Sequence, residues 1–447
     1  MKKPKEISIV GAGLVGSLLS IYLARRGYQV LVFERRHDMR TTFLGGGRSI
    51  NLALSNRGIR ALEEVGLAAE MKKHAVSMKG RLMHDINGKL TYQPYGKDGQ
   101  YINSISRSGL NMFLMDEAEK RGVKFSFENR CIDVNLDKTE LHLVQDHGTR
   151  HHATDFIIGA DGAFSAVRAS MQMTDRFEYQ QHFIEHGYKE LRIPPGKNGE
   201  FVMEKEALHI WPRESFMLIA LPNPDATFTV TLFSPFEGQN SFKEVQTDAQ
   251  VAAFFNGTFP DAANLMPSLV DDFRDNPTAS LVTIQCSPWV KNRTMLIGDA
   301  AHGIVPFFGQ GMNAGFEDCT VFNQLLDKYN DDWKGATADF QRLRKADADA
   351  IAELALGNFI EMRDLVADPE FLLRKKIEAR LYELYPQDWI PLYSMVTFHE
   401  EIRYSQALEV GRRQGAVMNR VMARPGIDRN WESLDFGAIV SELRQQQ

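Results

Sequence analysis

The residues best placed to do chemistry lie near the start of the chain: Gly11-Ala-Gly13-Leu-Val15-Gly16, followed at a distance by Glu34. Three glycines at this spacing suit a phosphate cradle. Gly11 permits a tight turn, Gly13 lets a pyrophosphate approach the backbone, and Gly16 lets a helix pack closely on a strand. The helix that follows turns its free N–H groups toward phosphate, and Glu34 can accept hydrogen bonds from a ribose. Alone, the pattern says only that a dinucleotide binds. Arg35 and Arg36 could meet a 2′-phosphate, so the choice of cofactor stays open at this point. Two more segments carry candidate groups. Asp155-Phe-Ile-Ile158-Gly159-Ala160-Asp161-Gly162 leads into Ser165-Ala-Val167-Arg168, and Leu296-Ile297-Gly298-Asp299-Ala-Ala-His302 leads into Pro306-Phe-Phe308-Gly309-Gln310-Gly311-Met312-Asn313. Asp299 can accept from sugar hydroxyls, and a helix from about Gly311 would offer N–H groups and a positive dipole end to a group that gains negative charge.

The elements that must hold these groups follow from the hydrophobic pattern. Ile7–Val10 is an apolar, β-branched run, then come the glycine turn and a helical pattern through Leu18, Leu19, Tyr22 and Leu23. Gly27 stops that helix, and Tyr28–Phe33 reads as a second strand, closing a βαβ unit and opening a doubly wound parallel sheet. Residues 78–106 change to short alternating segments around Asn87-Gly88, an excursion from this first unit. Residues 182–193, 200–211, 215–221 and 227–233 also alternate, with Pro222-Asn-Pro-Asp225 turning the last pair, so an antiparallel sheet is expected. Thr294-Met-Leu-Ile297 returns to the parallel type. From about residue 332 the pattern is helical, broken by Pro386 and Pro391. The expected fold is α/β: a discontinuous Rossmann-like dinucleotide-binding domain (1–77, 104–178 and 281–331), a β-sheet substrate domain (78–103 and 179–280) and a C-terminal helical region (332–447).

The three motifs, in this order and spacing, make the chain resemble the flavin-dependent aromatic hydroxylases, single-component monooxygenases that hold FAD in one Rossmann-like domain. Gly47-Arg48-Ser-Ile-Asn-Leu-Ala53, Leu208-His-Ile-Trp-Pro212, the run Ile304–Asp318 and Leu392-Tyr393-Ser-Met-Val-Thr-Phe398 are similar to the branch of that family that hydroxylates L-kynurenine. The likeness runs from residue 5 to about 405. It implies that FAD is bound by Gly11, Gly13, Val15, Gly16, Glu34, Arg35, Arg48, Ala53, Arg107, Cys131, Asp161, Asp299, Gly311, Met312 and Asn313. It also implies that L-kynurenine is bound by Arg81 and Tyr95, which take the carboxylate, with Asn358 and Tyr393. NADPH enters as co-substrate, with O2. No second glycine-turn unit is present to hold NADPH, so transient binding is expected. Protein side chains do not activate O2, so the flavin carries that step and no acid, base, nucleophile or metal of the protein is needed. Arg and Tyr suit an α-carboxylate, and Asn can serve an ammonium or ketone.

Other residue groups have plainer readings. His142, His147, His151 and His152 flank a probable hairpin turn and lack an acid at ligand spacing, so no metal site is expected. His302 reads as fixing its turn. Met217, Ile219, Leu221 and Phe233 read as core, although one face of such a sheet covers the substrate in this family. Phe308 stands where some bacterial members carry a His. The chain has 447 residues, 43% hydrophobic and 25% charged, enough for more than one core. Its net charge of -6 offers no footprint for nucleic acid. Cys131, Cys286 and Cys319 are too few and too scattered for a disulfide frame, which fits a reducing, cytoplasmic setting. The uncharged run Ile7–Ala24 is interrupted by glycines and reads as the βαβ unit rather than an export signal. Eukaryotic relatives carry a hydrophobic C-terminal anchor, whereas this chain ends in Ser441-Glu-Leu-Arg-Gln-Gln-Gln447, so no membrane anchor is expected. Oligomeric state is not legible.

Overall fold

A computed structural model describes residues 4–41, 51–96, 99–146, 148–362 and 368–445. Arg48 and His147, both singled out above, lie outside them.

The run Glu6–Val10 sits inside a six-stranded sheet ordered Val290–Lys291, Thr294–Leu296, Phe156–Gly159, Glu6–Val10, Gln29–Phe33, Lys124–Ser126. All pairs are parallel except the Val290–Lys291 edge. A parallel sheet is covered on both faces, which explains why Ile7, Ile9, Val30, Val32, Ile157 and Ile158 are all buried. Helices Leu14–Arg25, Arg107–Glu119 and Gly311–Lys328 pack around this core. A small sheet of Asn51–Leu54, Ile102–Ser106 and Ala75–Met78 links it to the second unit, and a three-stranded sheet of Gly148–Ala153, Glu140–Gln145 and Arg130–Asn135 carries Cys131.

The second unit is a seven-stranded sheet ordered Ala279–Ser287, Glu178–Ile193, Phe228–Pro235, Phe216–Pro222, Ala207–Arg213, Gly80–His84, Leu90–Pro94. Three differences from the sequence reading have physical causes. The sheet is not wholly antiparallel: Gly80–His84 enters from the far excursion and pairs parallel with Ala207–Arg213. Ala279–Ser287 crosses the boundary drawn at 281, because it pairs antiparallel with Glu178–Ile193, so residues 281–287 run with this sheet. The stretch 200–206 is not strand. Its alternation comes from Phe201 and Met203, loop residues that pack on the outer core of the sheet.

That outer face is covered by Asp248–Thr258, Pro260–Ala263 and Leu269–Asp275, around Trp211, Phe255 and Phe259. The inner face, with Met83, Ile210, Met217 and Phe233, packs against Phe307 and Phe308 and against helices Trp333–Ile360, Leu392–Phe398 and Tyr404–Met422. Among the described residues no helix is long and apolar enough to cross a membrane.

Candidate functional site

The glycine turn is built as its residue types require. Gly11 has φ +105°, and a Cβ there would lie 2.5 Å from the Ala160 carbonyl oxygen. A Cβ on Gly16 would lie 2.0 Å from the Gly11 carbonyl oxygen, so neither position tolerates a side chain. Gly13 is the opposite case: it is exposed, and a Cβ there would meet nothing within 4 Å. Space above Gly13 and tight packing at its neighbours is the arrangement a pyrophosphate cradle needs. Glu34, at the end of Gln29–Phe33, turns back to the turn and accepts from Ala12 N–H at 3.0 Å and Arg36 N–H at 3.0 Å. Arg35 is exposed beside it.

The other two motifs converge on this turn. Asp161 accepts from Ser165 Oγ–H at 2.6 Å and Ala166 N–H at 2.7 Å, capping the helix Ala166–Gln172. Burial pushes its carboxyl above the usual range, against those hydrogen bonds. Arg168, buried, donates to the Ala300 carbonyl at 2.8 Å and ties this loop to the Asp299 loop. Burial, with the Asp161 charge behind it, pushes the Cys131 thiol up to about 12. Asp299 is exposed at the head of its short helix. Val15 bridges the motifs: a Cβ on Gly298 would lie 3.1 Å from its Cγ2, and one on Gly315 would lie 2.5 Å from the same atom. His302 does fix its turn, with Nε2 2.6 Å from Asp318 Oδ2. That carboxylate also accepts from Gly298 N–H at 3.1 Å and Arg344 Nε–H at 2.7 Å.

At the head of Gly311–Lys328 the side chain of Asn313 is fully employed. It donates to the Ala53 and Gly309 carbonyls, both at 2.8 Å, and accepts from Ser55 N–H at 3.0 Å. Only the backbone of Gly311, Met312 and Asn313 is left to meet a ligand. Arg107 is exposed at the start of its own helix. The open Gly13, the exposed Asp299 and the free helix head fit a dinucleotide, and the N–H groups of Gly311, Met312 and Asn313 would suit a ring that gains negative charge.

Next to Ala53 lies the second group of candidate residues. Tyr95 is buried among Met78, Ile102, Leu221 and Phe398, with Ala53 and Tyr393 packed on them. Tyr95, Tyr393 and Phe308 form one aromatic stack, with centroid separations of 5.6 Å and 5.4 Å. The Arg81 guanidinium lies over Tyr393 at 4.6 Å and Tyr95 at 5.6 Å. Among the described residues, the buried Arg81 Nε and the Tyr95 hydroxyl have no partner at good hydrogen-bond geometry. A guanidinium and a phenol with free donors side by side have the chemistry to meet an anionic ligand. Burial works against the Arg81 charge, but Tyr393, Tyr95 and Glu361 around it hold its pKa above the usual value. Burial drives the Tyr95 phenol well up, so it stays a donor. Asn358 is buried and gives its Nδ2 to the Phe307 carbonyl at 2.7 Å, tethering the turn that carries Phe308.

Sequence reasoning missed Glu361, Phe308 as a stacking partner, and Arg344, which ties Asp318 to Glu317 and Asp347. Only packing reveals the first two; the acid-rich Glu317-Asp318 pair on a buried helix was a signal for the third. The reading of the histidine cluster needs correcting. Glu140 Oε1 lies 3.3 Å from His142 Nε2 and 3.1 Å from His151 Nδ1, because residues two apart share a strand face and His151 pairs opposite His142.

Residues 5–339 match the family described as FAD binding domain. The chain is 48% identical over 446 residues to kynurenine 3-monooxygenase of Christiangramia forsetii, covering 99% of each chain. It is 44% identical over 427 residues to kynurenine 3-monooxygenase of Anopheles gambiae, covering 94% of this chain and 87% of that one. Among solved structures, the tetrameric form of 2-methyl-3-hydroxypyridine-5-carboxylic acid oxygenase superposes with a TM-score of 0.68 at 18% identity. The match covers 85% of this chain and 97% of that one, a likeness of fold.

Proposed function

Because the chain belongs to the FAD binding domain family and, within it, to the kynurenine 3-monooxygenases, we propose that Arg81 and Tyr95 bind the carboxylate of L-kynurenine, with Tyr393 beside its ring, during the family's reaction. The enzyme uses FAD, NADPH and O2 to place a hydroxyl on the aminoaryl ring of L-kynurenine. FAD, when bound, supplies the activation of O2 that side chains lack.

The chain's own groups bind, orient and enclose. Gly11, Gly13, Val15 and Gly16 would hold the pyrophosphate; Glu34 and Arg35 a ribose; Asp299 the sugar-alcohol chain. The N–H groups of Gly311, Met312 and Asn313 would meet the ring. Arg48, Ala53, Arg107, Cys131 and Asp161 complete the set that the resemblance assigns. On the substrate side, Arg81 offers a charge-assisted fork and Tyr95 a phenolic donor to the carboxylate. Glu361, whose charge supports Arg81 and which lies 3.5 Å from Lys375 Nζ, would add a negative charge near the α-ammonium. Phe308 and Tyr393 give the aryl ring a flat wall, and the apolar inner sheet face excludes water. Asn358 acts through the turn it tethers. Holding the ring at a fixed distance from the cofactor is the protein's main contribution.

The observation that carries this reading is the pair of buried, unpartnered polar atoms on Arg81 and Tyr95. The test is NADPH oxidation by the FAD-loaded enzyme with and without L-kynurenine, with product identified by mass. Stimulation with gain of one oxygen atom is expected; stimulation without a hydroxylated product contradicts it.

A further inference from the structure

The strand that carries Arg81 is gripped from behind by a buried hydrogen-bonded chain outside both binding sites. His84 Nδ1 lies 2.7 Å from Asp261 Oδ2, and its Nε2 lies 2.9 Å from His209 Nδ1. His209 Nε2 lies 2.8 Å from the Glu204 carbonyl oxygen. Both imidazoles are buried. The series ends on an acceptor at each side: a carbonyl oxygen cannot donate, and Asp261 Oδ2 already accepts from Trp211 Nε1–H at 2.8 Å. Three hydrogen bonds in series need three protons, whereas two neutral imidazoles carry two.

We infer that His84, His209 and Asp261 hold one extra, shared proton, and that the chain it completes positions Arg81 for L-kynurenine. This rests on the reading of Arg81 given above. The shared proton on the imidazole pair balances the charge of the half-buried Asp261 carboxylate. His84 stacks on Trp211 with centroids 4.0 Å apart and planes at 26°, a seat that favours an imidazolium. His209 meets the edge of Phe228. The other charged groups facing the cluster are occupied. The Arg213 guanidinium donates to the Thr258, Pro212, His84 and Asp85 carbonyls. The Asp85 carboxylate accepts from Asn87 and Lys89 N–H, and that of Glu204 from Glu206 N–H. Burial pulls both imidazoles toward neutrality, His209 down to about 4, so the shared proton is the one lost as pH rises. Two lone pairs then face each other across the 2.9 Å gap.

The link to substrate is geometric. Arg81 pairs with Leu208 and Met83 with Ile210 in the parallel register, and alternation sends 81 and 83 to the inner face while 84, 209 and 211 point outward. Among the described residues, the edge strand Leu90–Pro94 alone lies beyond the Arg81 strand in the sheet. The histidine chain is therefore a cross-strand clasp on a strand near the sheet edge, three residues from the guanidinium.

The test has two readouts on the FAD-loaded full chain. With 15N-labelled histidine, NMR near pH 5 should show three N–H groups among the four ring nitrogens of His84 and His209, falling to two by about pH 8; two at the lower pH overturns the inference. In kinetics, the KM for L-kynurenine should rise with pH over that range while kcat holds. Asp261→Asn keeps an oxygen for Trp211 and His84 but removes the carboxylate charge that balances the shared proton, so the rise in KM should move to lower pH. His209→Phe cuts the chain and should raise KM about tenfold at low pH with kcat unchanged, and His209→Gln, which can donate to Glu204 and accept from His84, should restore it. An unaltered pH profile in Asp261→Asn, or wild-type KM in His209→Phe, overturns the clasp. If instead Arg81→Ala leaves KM unchanged, the reading of Arg81 has failed, while the proton count still stands or falls by the NMR.

Discussion

At the scale of single residues, the site divides into groups that face a ligand and groups the protein has already used. Arg81 Nε and the Tyr95 hydroxyl are the former. Tyr95→Phe removes one donor while keeping the stack on Tyr393, so it should cost about 0.5–2 kcal/mol in L-kynurenine binding, read as KM, with FAD content unchanged. A variant that loses flavin instead would move Tyr95 to the cofactor side. Asn313 and Asn358 are the latter: amide groups of each are committed to backbone carbonyls. Residue type alone could not separate these cases. Arg81 and Arg213 are both strand arginines in the sequence, and only tertiary packing shows that Arg213 donates to four carbonyls while Arg81 keeps a bare Nε. The resemblance to relatives, not periodicity, singled out Arg81.

At the scale of elements, the βαβ unit was legible because its rules are local. The glycine spacing, the β-branched runs and the terminal acid each constrain a few neighbouring residues. That makes a paired prediction possible. Gly16→Ala drives a methyl into the Gly11 carbonyl oxygen, 2.0 Å away, so it should lower the apoprotein's melting temperature and FAD content together. Gly13→Ala meets nothing within 4 Å, so the apoprotein should melt as wild type does while FAD affinity falls. Equal melting losses in both variants would place Gly13 in packing rather than in the cradle. The second sheet was harder to read. Phe201 and Met203 alternate as a strand would, yet they serve a loop, and no local signal announces that Gly80–His84 joins Ala207–Arg213 in parallel. Such pairings are fixed by what must cover the inner face, information spread over the whole chain.

At the scale of the whole molecule, one buried ionic cluster binds the cofactor domain to the C-terminal helices. Asp318, on the Gly311–Lys328 helix, meets His302 from the Asp299 loop and Arg344 from Trp333–Ile360, while Arg403 reaches Asp347 from beyond. Burial alone would raise the Asp318 carboxyl, but His302 and Arg344 hold it below the usual range. A depressed carboxyl stabilises the fold above its unfolded value and gives that stability up as pH falls through its folded one. The wild-type melting temperature should therefore drop as pH is lowered below about 4, and Asp318→Asn should lose about 3 kcal/mol near neutrality while showing a shallower acid decline. An identical acid decline in the variant would remove Asp318 from the account.

The central claim, that Arg81 reads the carboxylate of L-kynurenine beside a bound FAD, is tested most directly by comparing two substrates in two enzymes. The substrates are L-kynurenine and its decarboxylated amine; the enzymes are the FAD-loaded wild type and Arg81→Ala. The wild type should favour L-kynurenine strongly in kcat/KM for hydroxylated product. Arg81→Ala, still carrying FAD, should lose on the order of 2–5 kcal/mol on L-kynurenine and little on the amine, so that the preference collapses. An equal preference in both enzymes would place the guanidinium outside the substrate pocket and contradict the account.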